Sequence, residues 1–280
     1  MTADTGRAPG WLRLWRHSYR LFAAWLLRLP RHRGAGARVA LTRALVPLDP
    51  WRYYELGRVA GERFAGDCLD VSSPKLLPSL LQREGQGRWT AVDLFAREIE
   101  QWQAVDPDLQ LAVEDATKLS FADASFDACL CLSVIEHVPG DGDATAMAEM
   151  WRVLRPGGVL HLTTDVAPSA RDIFLGDEIY GAASQRVDGD RVFFARHYAP
   201  DDLERRLLAL PWEIEHREFA RQRDERWERR FYGATPWSYV LGGLLPLTCA
   251  RNFDVSDEVP DLSGRHHGVV YLRLRKPAAA

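Results

Sequence analysis

Neither a disulfide framework nor a thiolate metal site is offered by this chain, because its four cysteines (Cys68, Cys129, Cys131 and Cys249) include no Cys-x-x-Cys pair. The histidines show no ligand spacing either, so no metal is expected. A charge-free apolar run of about 18 residues is missing too. The Trp-rich segment 11–29 is interrupted by Arg13, Arg16, Arg20 and Arg28, so neither a spanning helix nor a secretory signal is expected and the location expected is cytoplasmic. Acid is scarce in residues 1–43, where Asp4 alone faces nine arginines; the rest of the chain holds 27 basic and 38 acidic residues, and the net charge of −3 hides this asymmetry. An acidic body without an Asn-Pro-Pro-Tyr base-flipping motif argues against nucleic acid as a partner, since attraction to phosphate would be confined to the leader. What the chain does have is 46% hydrophobic and 10% aromatic residues in 280, enough for one large core with appendages.

Residues 11–29 place Trp11, Leu14, Trp15, Phe22, Trp25, Leu26 and Leu29 on one helical face, with Arg13, Arg16, His17, Arg20 and Arg31 mostly opposite. Such a basic amphipathic helix suits an anionic membrane surface, which would put the protein at the inner membrane face. It equally suits packing on the body or on a second subunit of a homodimer. Pro30 and the following Arg-His-Arg-Gly run break the helix. A second short helix at 39–46 and a helical approach beginning at Pro47 complete a leader over residues 1–66.

From Asp67 the pattern alternates. Strands are expected at Cys68–Val71, Arg88–Leu94, Leu109–Ala116, Phe126–Ser133 and Val159–Asp165. Helices are expected between them, at about 74–84, 97–105 and 143–154. A helix at 200–210 and strands at 212–218 and 268–276 follow, together with a charge-dense helix at 221–230. This rhythm predicts an α/β domain over 67–280: a Rossmann-like, seven-stranded, mostly parallel sheet with helices on both faces. Residues 167–200 are long, polar and aromatic, and are expected to form a lid insertion.

The segment Phe126–Thr164 carries the most specific signal. Ser-Phe-Asp precedes an apolar strand, Glu136-His137-Val138 follows it, and a helix ends in Trp-Arg-Val-Leu-Arg-Pro-Gly-Gly before the next strand. In these features the chain resembles the ubiquinone/menaquinone-type group of class I S-adenosylmethionine (SAM) methyltransferases. The resemblance implies SAM as cofactor and methyl transfer to a small-molecule or lipid-like acceptor. It further implies cofactor contacts from Asp70 and from Ser72 and Ser73 in the turn after the first strand. Asp93 would take the ribose hydroxyls, with Leu94 beside it, and Asp115 with Ala116 would lie at the adenine. Ser133, ending the fourth strand, completes the set. One departure is plain: where the family writes Gly-x-Gly-x-Gly, this chain has Ser72, Pro74 and Leu76. The missing glycines keep a second reading open, a methyltransferase-fold binding or scaffolding protein without catalysis.

Methyl transfer from a sulfonium needs positioning above all. A hydroxyl or ring-nitrogen acceptor also gains from a base, which makes His137 the first catalytic candidate, Glu136 its orienting neighbour and His197 the second candidate. Tyr180, Phe193, Phe194 and Tyr198 are expected to line the lid, Asp165 faces the same side, and His266 and His267 have no assigned partner.

Overall fold

The computed structural model describes residues 10–176, 187–189, 191–226, 252–262 and 268–278. The helix expected at 221–230 is not formed over its described part, since Arg221 and Gln222 end a strand and the chain then turns; residues 227–230 lie outside the described residues, as do Tyr180, Cys249, His266 and His267. Two compact units are present, Met1–Glu114 with Gln222–Val255, and Asp115–Arg221 with Ser256–Ala280.

In the first unit four helices precede the first strand: α1 (Trp11–Leu27), α2 (Leu29–His32), α3 (Ala37–Leu45) and α4 (Pro50–Val59). Asp49 caps α4 by accepting the Arg52 N–H at 2.8 Å, and Pro50 sits in the first turn, where a missing amide costs nothing. Then come β1 (Asp67–Val71), α5 (Leu76–Arg83), β2 (Arg88–Asp93), α6 (Ala96–Val105) and β3 (Gln110–Val113). β1 pairs with β2 and β2 with β3, all parallel, so Asp70 lies opposite Ala91 and Asp93 opposite Val113. Both acids thus stand at carboxyl ends of strands, where doubly wound sheets bind ligands.

Helix α1 packs against α3, α4, α5 and α6 through Leu14, His17, Ser18, Leu21 and Trp25. The inward stripe is rotated from the one expected, since His17 is buried, whereas Leu26 is exposed and Leu27 more so. His17 is accommodated because Ser79 on α5 pairs with its Nε2 at 2.7 Å. Burial, with the positive charge of Arg83 next, pushes the imidazole pKa down to about 4. No helix among the described residues is long and apolar enough to cross a membrane.

The second unit contains β4 (Phe126–Leu132), a 3₁₀ turn (Ile135–His137), α7 (Gly142–Val153) and β5 (Leu154–Val166). It continues with β6 (Arg171–Leu175), β7 (Val187–Asp188), β8 (Arg191–His197), α8 (Pro200–Asp202), β9 (Glu213–Gln222) and β11 (Gly268–Arg275). Its main strands run in the order β9-β11-β5-β4, with β4 parallel to β5 and the pairs at β11 antiparallel. Gly157 shows why Pro-Gly-Gly leads into β5. Its φ of +82° turns the chain, and its N–H donates to the Lys276 carbonyl at 2.8 Å.

The expected lid contains a small antiparallel sheet of order β6-β8-β7. The helix expected to reach 210 continues past α8 only to Leu207, its last turn widened to π geometry. The fold is α/β and Rossmann-like, with eight strands in the large sheet rather than seven. The addition is β10 (Phe253–Ser256), whose Phe253 packs on Trp51, Tyr53 and Tyr54.

Candidate functional site

In the first unit the turn after β1 brings Asp70, Ser72, Ser73 and Lys75 to the strand end that also carries Asp93. Ser72, at the first missing glycine, adopts φ +57°, the left-handed backbone that glycine would take without strain. Its N–H donates to the Val92 carbonyl at 3.0 Å. Pro74 and Leu76 show no positive φ, so only the first of the three glycine conformations is kept.

Asp70 is fully buried, and neither carboxylate oxygen accepts a hydrogen bond of normal geometry among the described residues. Burial pushes its pKa up to about 7; the charge of Lys75 and the nearby Ser73 hydroxyl pull the other way without prevailing. Asp93 is engaged on both oxygens. The Phe95 N–H donates to Oδ1 at 3.1 Å, and the Lys75 ammonium donates to Oδ2 at 2.5 Å. Lys75 itself is 2% exposed, an uncommon state for a lysine that only a partner makes tolerable. Leu94, next in the chain, is 44% exposed.

In the second unit Asp115 is exposed and closes its own turn, accepting the Thr117 N–H at 2.8 Å and the Thr117 hydroxyl at 2.7 Å; Ala116 lies within that turn. Ser133 ends β4 with φ +53°, and its N–H donates to the Thr163 carbonyl at 3.0 Å. Glu136 points inward and is fully buried. The Thr164 hydroxyl donates to its Oε2 at 3.1 Å, while Oε1 accepts nothing among the described residues.

The two histidines differ in what their rings can do. His137 lies 2.7 Å through Nδ1 from the Phe194 carbonyl, which can only accept, so Nδ1 carries the proton and the neutral ring has its lone pair at Nε2. The Phe194 ring packs beside it at 5.0 Å. His197 receives the Arg171 guanidinium on Nδ1 at 3.3 Å and has Nε2 3.7 Å from Asp165. Its lone pair already serves a cation, which suits bracing β6 to β8 better than taking a proton.

Asp143 was not singled out in the sequence, where it only opens the helix expected at 143–154. It sits in the first turn of α7, fully buried, and accepts five hydrogen bonds: from Arg196, from two nitrogens of Arg206, from the Tyr198 hydroxyl and from the Ala144 N–H. Burial alone would raise its pKa, but these donors, Arg206 foremost, hold it below the usual carboxylate range. Tyr198 is kept a phenol by burial and by Asp143, and Phe193 is buried with it. These two expected lid aromatics are therefore packing residues.

Comparison with known proteins finds likenesses over the central segment. Residues 69–162 match the family model described as a methyltransferase domain. A malonyl-[acyl-carrier protein] O-methyltransferase of Serratia marcescens is 31% identical over 144 residues, covering 49% of this chain and 53% of the relative. The chain thus spans about half the length of that curated relative. A SAM-dependent methyltransferase from Methanosarcina mazei superposes with a TM-score of 0.50 at 16% identity, over 78% of this chain and 95% of that one. At that identity the likeness concerns the fold.

Proposed function

We propose, from the premise that residues 69–162 form a class I SAM-dependent methyltransferase domain, that the protein transfers the SAM methyl group to a small-molecule acceptor. The observation that carries this reading is the orphaned buried carboxylate of Asp70, at a strand end beside Asp93. A buried acid short of donors is costly unless a ligand supplies them, and the ligand implied by the domain brings an ammonium and two ribose hydroxyls. The residues present therefore fit the cofactor, with Asp70 and Asp93 as the acids that hold it and Ser72 supplying the left-handed turn. When bound, the cofactor supplies a methyl group already activated on a sulfonium.

His137 supplies the base for an O–H or N–H acceptor. Its Nδ1–H is committed to the Phe194 carbonyl, so a proton is accepted at Nε2 and the ring leaves that exchange as an imidazolium still anchored to Phe194. Glu136 is a positioning residue, holding the turn before α7 through Thr164. The outward side of α1 carries Leu12, Arg16, Tyr19, Arg20, Leu26 and Leu27. This stripe of leucine with arginine supports peripheral attachment to an anionic surface as the source of a lipid-like acceptor.

Incubation with methyl-labelled SAM and a small-molecule extract tests the reading. Label should pass into an extractable product, and His137→Ala should slow that transfer by about 10²- to 10⁴-fold while SAM still binds. No transfer by the wild type alongside intact SAM binding would favour the scaffolding alternative.

A further inference from the structure

We propose that Lys75 is an internal ligand of Asp93, which a nucleoside diol must displace, and that the displaced ammonium is handed to Asp70. This rests on the reading of Asp93 as the acid that takes the ribose hydroxyls.

Asp93 has no idle oxygen: the Phe95 amide holds Oδ1 and the Lys75 ammonium holds Oδ2. The Phe95 bond is a tight local turn, two residues long, set by the chain at the strand end itself. The Lys75 bond comes from 18 residues away and is the one that can be exchanged. A ribose diol is neutral, however. Taking the place of the ammonium would leave a cation 2% exposed without a counter-ion, and isolated buried charge is among the most destabilising arrangements available to a protein.

The turn holds an answer to that difficulty. Asp70, at the end of the adjacent strand, is fully buried, accepts no hydrogen bond of normal geometry among the described residues, and already feels the Lys75 charge. Moving the ammonium from Asp93 to Asp70 would give one oxygen of the orphaned acid a donor, leave its other oxygen for the ligand, and clear Oδ2 in one step. The sequence of the turn is consistent with this division of labour. With glycines absent from positions 74 and 76, the turn has little backbone freedom to spend on a ligand, and a long flexible side chain supplies the movement instead.

Calorimetry with adenosine and with S-adenosylhomocysteine, on the wild type and on Lys75→Met, tests the exchange. Lys75→Met should bind adenosine about tenfold or more tightly than the wild type, because the diol no longer competes with an ammonium. The chain has three lysines (Lys75, Lys118 and Lys276), so ¹⁵N labelling of lysine gives a second, mutation-free readout. The Lys75 Nζ signal should move on adenosine saturation while the other two stay. Equal or weaker adenosine binding by a folded Lys75→Met, or a Lys75 signal that ignores bound adenosine, overturns the proposal. If Lys75→Met does not fold, the wild-type signal decides alone. Absence of binding by both proteins at millimolar ligand removes the ribose reading itself, and with it this exchange.

Discussion

Two buried aspartates, one in each unit, have opposite surroundings. Asp143 accepts five hydrogen bonds from two arginines, a tyrosine and a backbone amide, and stays ionised below the usual carboxylate range. Asp70 is as deeply buried and accepts none of normal geometry among the described residues, so burial raises its pKa to about 7. Burial is equal; the supply of donors differs. A carboxylate surrounded by donors from its own unit is part of the architecture and has little left to offer a ligand. One short of donors lowers the stability of the free protein, and that cost is recovered when a ligand or a neighbouring cation arrives.

The largest effect should come from removing the satisfied acid. Asp143→Ala leaves Arg196 and Arg206 without their shared partner and should lower unfolding free energy by about 3 to 5 kcal/mol in denaturant titrations. A loss under about 1 kcal/mol would mean that the partners the arginines already have, Asp172 for Arg196 and Asp141 for Arg206, suffice to hold them.

Removing the orphaned acid should act in the opposite direction. Asp70 has a folded pKa above its unfolded value, so its contribution to stability is present below about pH 4 and is lost as pH rises through about 7. Asp70→Asn should therefore be more stable than the wild type at about pH 8, by up to roughly 4 kcal/mol, with the gap closing towards about pH 4. His17 runs the other way, losing its contribution as pH falls from 6.5 to about 4, but it is common to both proteins and cancels in the difference. Parallel pH profiles would show that Asp70 has a donor after all.

The smallest effect concerns the turn between them in character. Ser72 holds a left-handed backbone at an estimated strain of about 1 to 2 kcal/mol. Ser72→Gly relieves it while adding unfolded-state freedom of about 0.5 to 1 kcal/mol. Thermal unfolding should show a net gain of up to about 1 kcal/mol, with S-adenosylhomocysteine affinity maintained. A clear loss of affinity would assign the Ser72 hydroxyl a ligand contact.

The alternation of strands and helices from Asp67 to Val166 was legible because each element carries its own period, and Arg-Pro-Gly-Gly announces a turn that needs Gly157 in a left-handed conformation. The acids at the ends of β1 and β2 followed from strand placement alone. Lys75 was not legible, since nothing local distinguishes a solvated lysine after a proline from one turned inward onto an acid 18 residues on. His17 was placed on the polar face because helical periodicity cannot anticipate Ser79 waiting for it. The β6-β8 pairing and β10 escaped because a short strand is recognised by the partner it finds, which lies far along the chain. The role of Asp143 was hidden for the same reason: four of its five donor atoms belong to residues at positions 196, 198 and 206.

The most direct test of the account is calorimetric titration of S-adenosylhomocysteine into the wild-type protein, followed by the same titration into Lys75→Met and Lys75→Met/Asp93→Asn. The Lys75→Met background isolates what Asp93 itself contributes to the ligand. The account predicts binding by the first two proteins, and a loss of about 1.5 to 3 kcal/mol in the third, the range for hydrogen bonds to a charged group. No binding by any of them at millimolar ligand, or equal affinity with and without the Asp93 carboxylate, would contradict it.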